Sequence, residues 1–89
     1  MVAKHIIFAG SVQGVGFRFT AHRIARLNQL KGYVRNLPNG TVEMLAQGNT
    51  EDVNNCVKDI KDSFTGYISQ TKIEDVPIDP HYKDFNIAF

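Results

Sequence analysis

Residues 32–46, GYVRNLPNGTVEMLA, decide the fold of this chain. The segment begins with a short Tyr-Val stretch, ends with Thr-Val-Glu-Met-Leu-Ala, and carries Leu-Pro-Asn-Gly at 37–40 between them. Asn-Gly between two apolar runs is a strong hairpin signal, because both residues tolerate the positive φ angles that a tight turn needs. The segment therefore predicts two antiparallel strands, the first ending at Asn36 and the second beginning at Thr41.

The chain before this hairpin predicts one strand and one helix. His5–Ala9 is a short apolar run closed by glycine, which suits a buried strand better than so short a helix. Apolar residues then recur at helical spacing from Phe17, which predicts a helix reaching about Gln29. The residues that carry this spacing are Phe17, Ala21, Ile24 and Ala25.

The chain after the hairpin predicts a second helix followed by strands. Asn49 or Thr50 can cap a second helix, which has acidic residues in its first turn and one apolar face. Gly66 ends this helix, residues 68–76 have strand character, and residues 85–89 alternate as a last strand does. The order of elements is βαββαβ.

Two split βαβ units in this order predict a ferredoxin-like α+β sandwich, with an antiparallel sheet and both helices on one face. The 89 residues are enough for one domain, which we expect to span residues 1–89. With 43% hydrophobic and 21% charged residues, the composition is that of an ordinary globular protein.

The charge balance gives no reason to expect a nucleic-acid or membrane partner. Ten Lys and Arg against nine Asp and Glu give a formal charge of +1, so no strong overall field attracts polyanions. No apolar run approaches the roughly 20 residues that span a bilayer. Cys56 is the one cysteine, and the Met-Val-Ala-Lys-His start lacks the apolar stretch of a signal peptide. We expect a cytoplasmic monomer.

The loop between the first strand and the first helix carries the chemical signal. Residues 10–18, GSVQGVGFR, place three glycines and an arginine at the entrance of a helix. Glycines let successive N–H groups point into one concavity, and the helix N-terminus adds partial positive charge. Arg18 adds a planar fork that can hold two phosphate oxygens at once. Residues and spacing alone are equally compatible with a tight structural connection.

Two segments of this chain closely resemble the signature segments of the acylphosphatase family. The first is VQGVGFR at 12–18, and the second is GYVRN at 32–36 followed by NGTVE at 39–43. The resemblance runs from Gly10 to Glu43, extends through residues 46–48 and returns weakly at residues 85–87, covering roughly half the chain. It implies the ferredoxin-like fold and hydrolysis of the carboxyl–phosphate bond of a small-molecule acyl phosphate.

The resemblance also implies the roles of individual residues. Arg18 is expected to be a phosphate ligand, and Asn36 is expected to position the attacking water; these two are the catalytic side chains. Phosphate binding is expected at the backbone amides of a continuous run, Gln13, Gly14, Val15, Gly16, Phe17 and Arg18. No cofactor and no metal are expected, and the histidines and Cys56 have no metal-ligand spacing.

The chain departs from the family pattern at a few positions. Gln29 falls where the family usually ends its first helix with glycine, which predicts a mildly strained left-handed cap. Tyr33 replaces a common tryptophan, and Asn39 replaces a frequent aspartate in the turn. Residues 63–76 depart most, so no functional residue is expected there, and substrate selectivity could differ.

Several other residues have a structural and a functional interpretation. Cys56 is favoured as a packed small residue over a redox thiol, and His5 and His22 as structural or surface residues over proton carriers. Glu43 is favoured as a solvated or paired carboxylate over a catalytic base. Arg35 neighbours Asn36 on a strand and should point to the opposite face of the sheet.

Three competing functions are open at this level. An RNA-binding module would carry a basic-aromatic strand motif, which residues 41–45 lack. A metal-carrying domain of the same fold would need a paired-cysteine loop after the first strand. A non-catalytic module that senses phosphorylated metabolites, or binds a protein, is the alternative to the enzyme; intact Arg18 and Asn36 favour turnover.

Overall fold

The structure is a computed structural model that describes residues 1–89. It contains five strands and two helices. In chain order they are β1 (Val2–Gly10), α1 (Phe17–Leu27), β2 (Lys31–Asn36), β3 (Val42–Gly48), α2 (Thr50–Ser63), β4 (Ile68–Val76) and β5 (Phe85–Ile87).

The strands form one sheet in the order β4-β1-β3-β2-β5. The first four strands in this order pair antiparallel, with β1 and β3 at the centre. The two helices pack on the sheet, so the predicted ferredoxin-like α+β fold is confirmed. The last strand predicted at residues 85–89 is present as β5, but it pairs parallel with β2, so the sheet has five strands and is mixed rather than antiparallel. This direction follows from the segment at 77–84, which connects β4 at one edge to β5 at the other.

The core lies between the sheet and the helices. Alternate residues of β1 point into it, and Ile6 and Phe8 are fully buried. The ring of Phe17, at the start of α1, lies 5.0 Å from that of Phe8 and 4.5 Å from that of Phe64, measured between centroids. These contacts fix the start of α1 over β1. The loop formed by residues 10–18 therefore ends at a fixed position on the core.

The opposite face of the sheet is partly covered by the segment at 77–84. The side chain of Gln47 on β3 fastens this segment with two hydrogen bonds to Asp79: the Asp79 N–H donates to Oε1 at 2.7 Å, and Nε2 donates to the Asp79 carbonyl at 2.9 Å. Gln47 is buried, so both polar atoms of its amide need partners. This pair of bonds has no sequence signal, because its partners are 32 residues apart.

The helix ends follow local capping rules. Asn49 caps α2, as one of the two predicted candidates, because its side chain accepts the Glu51 N–H at 3.0 Å. Helix α1 ends at Leu27, two residues earlier than the predicted Gln29. The Gln29 N–H donates to the Arg26 carbonyl and the Leu30 N–H to the Ala25 carbonyl, which is the Schellman pattern.

Gln29 has the one positive φ angle among the non-glycine residues, +58°, so the strained left-handed cap predicted from the sequence is present. We predict that Gln29→Gly raises the free energy of unfolding by about 0.5–1 kcal/mol, because left-handed strain of about 1–2 kcal/mol is relieved and glycine entropy offsets part of it. Urea denaturation of both proteins measures the difference. Asn28→Gly is the matched control: φ there is −93°, so it relieves no strain and should not stabilise.

Candidate active site

The loop after β1 has its two ends buried and its centre exposed. Val12 is fully buried and Phe17 nearly so, whereas residues 13–16 between them are exposed. Gly14 and Gly16 have φ angles of +79° and +77°, a conformation that L side chains rarely adopt. The N–H groups of residues 13–16 donate to no acceptor within the protein. The loop therefore presents a run of free backbone donors.

The N-terminus of α1 adds positive potential at the same place. Gly16 is its N-cap and provides no side-chain cap, and no acidic residue occurs in the first turn. The first N–H groups of a helix have no intrahelical acceptor, and the macrodipole leaves partial positive charge on them. Because no carboxylate of α1 neutralises this charge, the helix start is suited to an anion.

A cavity of about 240 Å³ lies where the loop, the first turn of α1 and the end of β2 meet. Its lining contains two polar side chains, Arg18 and Asn36, which lie on different elements. Arg18 takes part in no ion pair, so its guanidinium is not committed to a carboxylate. The remaining lining residues are apolar or glycine: Val12, Gly14, Gly16, Phe17 and Phe19.

The side chain of Gln13 ties the loop to the turn that follows Asn36. Its Nε2 donates to the Leu37 carbonyl at 2.8 Å and to the Thr41 carbonyl at 2.9 Å. The Leu37 N–H also donates to the Thr41 carbonyl, so all three residues belong to one network. This network holds the end of β2, and with it Asn36, at a fixed distance from the loop. The sequence predicted only a backbone role for Gln13, because nothing local to it indicates a partner 24 residues away.

The structure brings most of the predicted site residues to one cavity. Gly14, Gly16, Phe17, Arg18 and Asn36 line it, whereas Gln13 and Val15 belong to the loop without lining the cavity. Three further residues at this place were not predicted from the sequence, since none carries a local signal: Val12 and Phe19 in the lining, and Phe89, whose ring centroid lies 5.0 Å from Arg18 Cζ.

Arg35 and Asn36 point to opposite faces of the sheet, as their alternation predicts. Asn36 lines the cavity, whereas the Arg35 Nε donates to Glu43 Oε1 at 2.5 Å on the other face. His5 Nε2 lies 2.8 Å from Glu43 Oε2. Glu43 is therefore a paired carboxylate, and it has no access to the cavity.

Glu43 and Cys56, which both lie outside the cavity, have shifted pKa values. Burial raises the pKa of Glu43, but the hydrogen bonds with His5 and Arg35 outweigh burial, so its pKa lies below the usual 4.5. Burial, with a smaller contribution from Asp59, raises the pKa of the Cys56 thiol to about 12. Cys56 is fully buried in α2 and stays a neutral thiol at pH 7, which supports its interpretation as a packing residue.

A larger groove of about 650 Å³ lies on the open face of the sheet, where Tyr33, Arg35, Tyr82 and Lys83 contribute to its lining. It contains neither the glycine loop nor the start of a helix, and Arg35 is already paired with Glu43. The smaller cavity is therefore the better anion site, although size alone would favour the groove.

Other candidates from the sequence lie away from the cavity. His22 Nε2 is 3.1 Å from the Phe85 carbonyl, a structural contact. No group of three or more His, Cys, Asp or Glu side chains is arranged to hold a metal ion. Residues 63–76, which diverge from the family pattern, form the end of α2 and edge strand β4 and supply no lining residue. None of the helices has the length and apolar content to cross a bilayer.

The fold and the site together define an α+β sandwich in which the β1–α1 loop and the end of β2 border a cavity whose donors are suited to an anion. A sequence model of the acylphosphatase family matches residues 4–87. The chain is 38% identical over 84 residues to an acylphosphatase of Chlorobaculum tepidum, covering 93% of this chain and 91% of the relative. It superimposes on the crystal structure of an acylphosphatase from Bacillus subtilis with a TM-score of 0.92 at 30% identity, over the whole of both chains.

A third similarity involves a much longer protein. The chain is 42% identical over 80 residues to a probable carbamoyltransferase HypF of Methanocaldococcus jannaschii, which covers 88% of this chain and 10% of that protein. The family model and the two acylphosphatases, which match over nearly the whole chain, decide the family of this protein. The chain belongs to the acylphosphatase family, and its activity is hydrolysis of the carboxyl–phosphate bond of acyl phosphates.

The Glu43 cluster predicts an acid-sensitive contribution to stability. Because the folded-state pKa of Glu43 lies below 4.5, its contribution is complete above the unfolded value and disappears as pH falls through the folded value. We predict that Glu43→Gln lowers the free energy of unfolding by about 1–3 kcal/mol at pH 7 and by much less near pH 3. Urea denaturation at both pH values measures this. Glu74→Gln, at an exposed position of β4, is the control and should change stability little at either pH.

Proposed function

We propose that the loop amides of residues 13–18 and the Arg18 guanidinium hold the phosphoryl group, and that Asn36 positions the attacking water. The observation that carries this proposal is the convergence of Arg18, Asn36 and the loop at one cavity of about 240 Å³. Free N–H donors, a helix start and an unpaired guanidinium all attract the same anion.

The reaction requires little acid catalysis from the protein. Water attacks phosphorus, the phosphorus–oxygen bond to the acyl group breaks, and the acyl oxygen leaves with the bonding electrons as a carboxylate. An ordinary carboxylic acid has a pKa of about 4, so the leaving group needs no proton at pH 7. Catalysis then rests on positioning and on stabilising charge at the phosphoryl oxygens, which the loop amides and Arg18 supply.

Asn36 is suited to orienting water and unsuited to deprotonating it. Its side chain has one carbonyl acceptor and two amide donors, and it does not titrate near neutral pH. A phosphoryl oxygen of the substrate therefore takes the proton of the attacking water. The hydrogen bonds of Gln13 to the turn after Asn36 support this role, because they fix the loop and the strand end relative to each other.

Substitutions of the two polar lining residues should have different effects. Arg18→Ala is expected to lose phosphate binding and about 10³-fold or more in turnover, since it removes a ligand of the transferring group. Asn36→Ala is expected to retain phosphate binding and lose about 10²–10³-fold in kcat, since only the water loses its partner. Hydrolysis of benzoyl phosphate and calorimetric binding of inorganic phosphate measure the two effects separately.

Arg23→Ala is the matched control, because Arg23 is an exposed arginine of the same helix outside the cavity lining. It should leave both measurements unchanged, and circular dichroism checks that each variant is folded. Unchanged kcat in Asn36→Ala would contradict the assigned water site. Phosphate binding by a folded wild-type protein without hydrolysis would instead favour the non-catalytic phosphate-sensing module.

We propose that hydrolysis needs no metal ion. Backbone N–H groups and a guanidinium already provide the positive charge that a cation would provide at the phosphoryl oxygens. The wild-type rate should therefore persist in excess EDTA after extensive dialysis. A rate that EDTA abolishes and an added divalent cation restores would contradict this mechanism.

We propose that residues 1–89 act as one acylphosphatase-like domain, a monomer in the cytoplasm with no nucleic-acid or membrane partner. The formal charge of +1 and the one buried cysteine support this proposal. Light scattering after size-exclusion chromatography should give about the chain mass of 10.0 kDa. Twice that mass, independent of dilution, would contradict the monomer.

A further inference from the structure

Exposed apolar side chains lie in the lining of the cavity or next to its lining residues. Phe19 lines it and is 75% exposed, and Val15 is exposed between the two left-handed glycines of the loop. The exposed ring of Phe89 lies with its centroid 5.0 Å from Arg18 Cζ. Single exposed apolar side chains are ordinary on protein surfaces, but a group of them beside a cavity is typical of a binding site. We define Val15, Phe19 and Phe89 as the apolar rim.

The two polar side chains of the cavity already have partners in the proposed function. Arg18 is its one charged lining residue and Asn36 its one amide, and the proposed function assigns them to the phosphoryl group and to water. The lining therefore offers no second cation for an acyl group that carries its own carboxylate or phosphate. It also offers no further polar side chain for an acyl hydroxyl or amide. The part of the substrate beyond the phosphoryl group meets apolar surface.

The position of Phe89 relative to Arg18 gives the rim a second role. An aromatic face is a favourable partner for a guanidinium, and the contact leaves the N–H groups at the edge of the guanidinium available to phosphate oxygens. The same ring can therefore restrict the Arg18 side chain and contribute apolar surface beside it. Phe19 has no such contact with Arg18, so its contribution is the simpler one to measure.

We propose that the apolar rim binds the acyl group, so that this enzyme selects acyl phosphates with an aromatic or branched apolar acyl group over small or charged ones. This inference rests on the proposed function, because the phosphoryl group must occupy the loop for the acyl group to reach the rim. Contact between a substrate ring and Phe19 removes apolar surface from water. Such contacts raise kcat/KM when they persist in the transition state.

The test compares benzoyl phosphate with acetyl phosphate at the same site. Wild-type protein should have the higher kcat/KM for benzoyl phosphate, and Phe19→Ala should reduce the ratio of the two values about 3–10-fold, the effect of one aromatic contact. Leu27→Ala is the matched control, since Leu27 is a 77% exposed apolar residue of the same helix outside the cavity. It should leave the ratio unchanged. An equal ratio in Phe19→Ala and Leu27→Ala would overturn the inference.

A binding measurement separates failure of the rim from failure of the proposed function. Phenylphosphonate and methylphosphonate share one anionic group and differ in the apolar group, and neither is hydrolysed. Wild-type protein should bind phenylphosphonate more tightly, and Phe19→Ala should lose that preference, even if hydrolysis is absent. Equal affinities in the wild type would overturn the rim and leave the phosphoryl site intact. Binding of both phosphonates that survives Arg18→Ala would contradict the proposed function itself.

Discussion

The site depends on one constraint: the backbone N–H groups of residues 13–16 have no acceptor inside the protein. Unpaired donors are tolerated only where water or a ligand reaches them, so this loop must lie at the surface. It must also keep one shape, because an anion binds well only to donors that already converge. Burial of Val12 at one end and Phe17 at the other meets both needs. The core thus holds the two ends of a loop that it does not cover.

The second half of the site depends on the pleat of the sheet. Asn36 and Arg35 are adjacent, yet one lines the cavity and the other binds Glu43 on the open face. A register shift of one residue would exchange them and place a guanidinium where the Asn36 amide now lines the cavity. The pairing of Arg35 with Glu43 therefore does more than neutralise charge. Since Arg35 lies opposite Glu43 in the β2–β3 ladder, their ion pair favours the register that turns Asn36 toward the loop.

The sequence predicts the parts of this molecule that rest on local signals. The hairpin turn, the Asn49 cap, both helices and the bounds of β4 follow from turn chemistry, capping and periodicity. The length of β1 and the parallel pairing of β5 do not, because both depend on neighbours distant in the chain. The site divides in the same way. Arg18 and Asn36 can be predicted from the resemblance to a family. The hydrogen bonds of Gln13 and the position of Phe89 cannot, because they are tertiary contacts without a local sequence pattern.

The location of the cavity explains how a divergent segment can coexist with an intact site. Every lining residue falls between Val12 and Asn36, so one continuous stretch supplies the loop, the helix start and the strand end. Residues 63–76 form the end of α2 and an edge strand, and they contact the site through packing of the Phe64 ring against Phe17 and through the hydrogen bond from the Ser11 N–H to the Tyr67 carbonyl. Substitutions on the exposed face of β4 are therefore expected to change the stability or solubility of the protein before they change its catalytic activity.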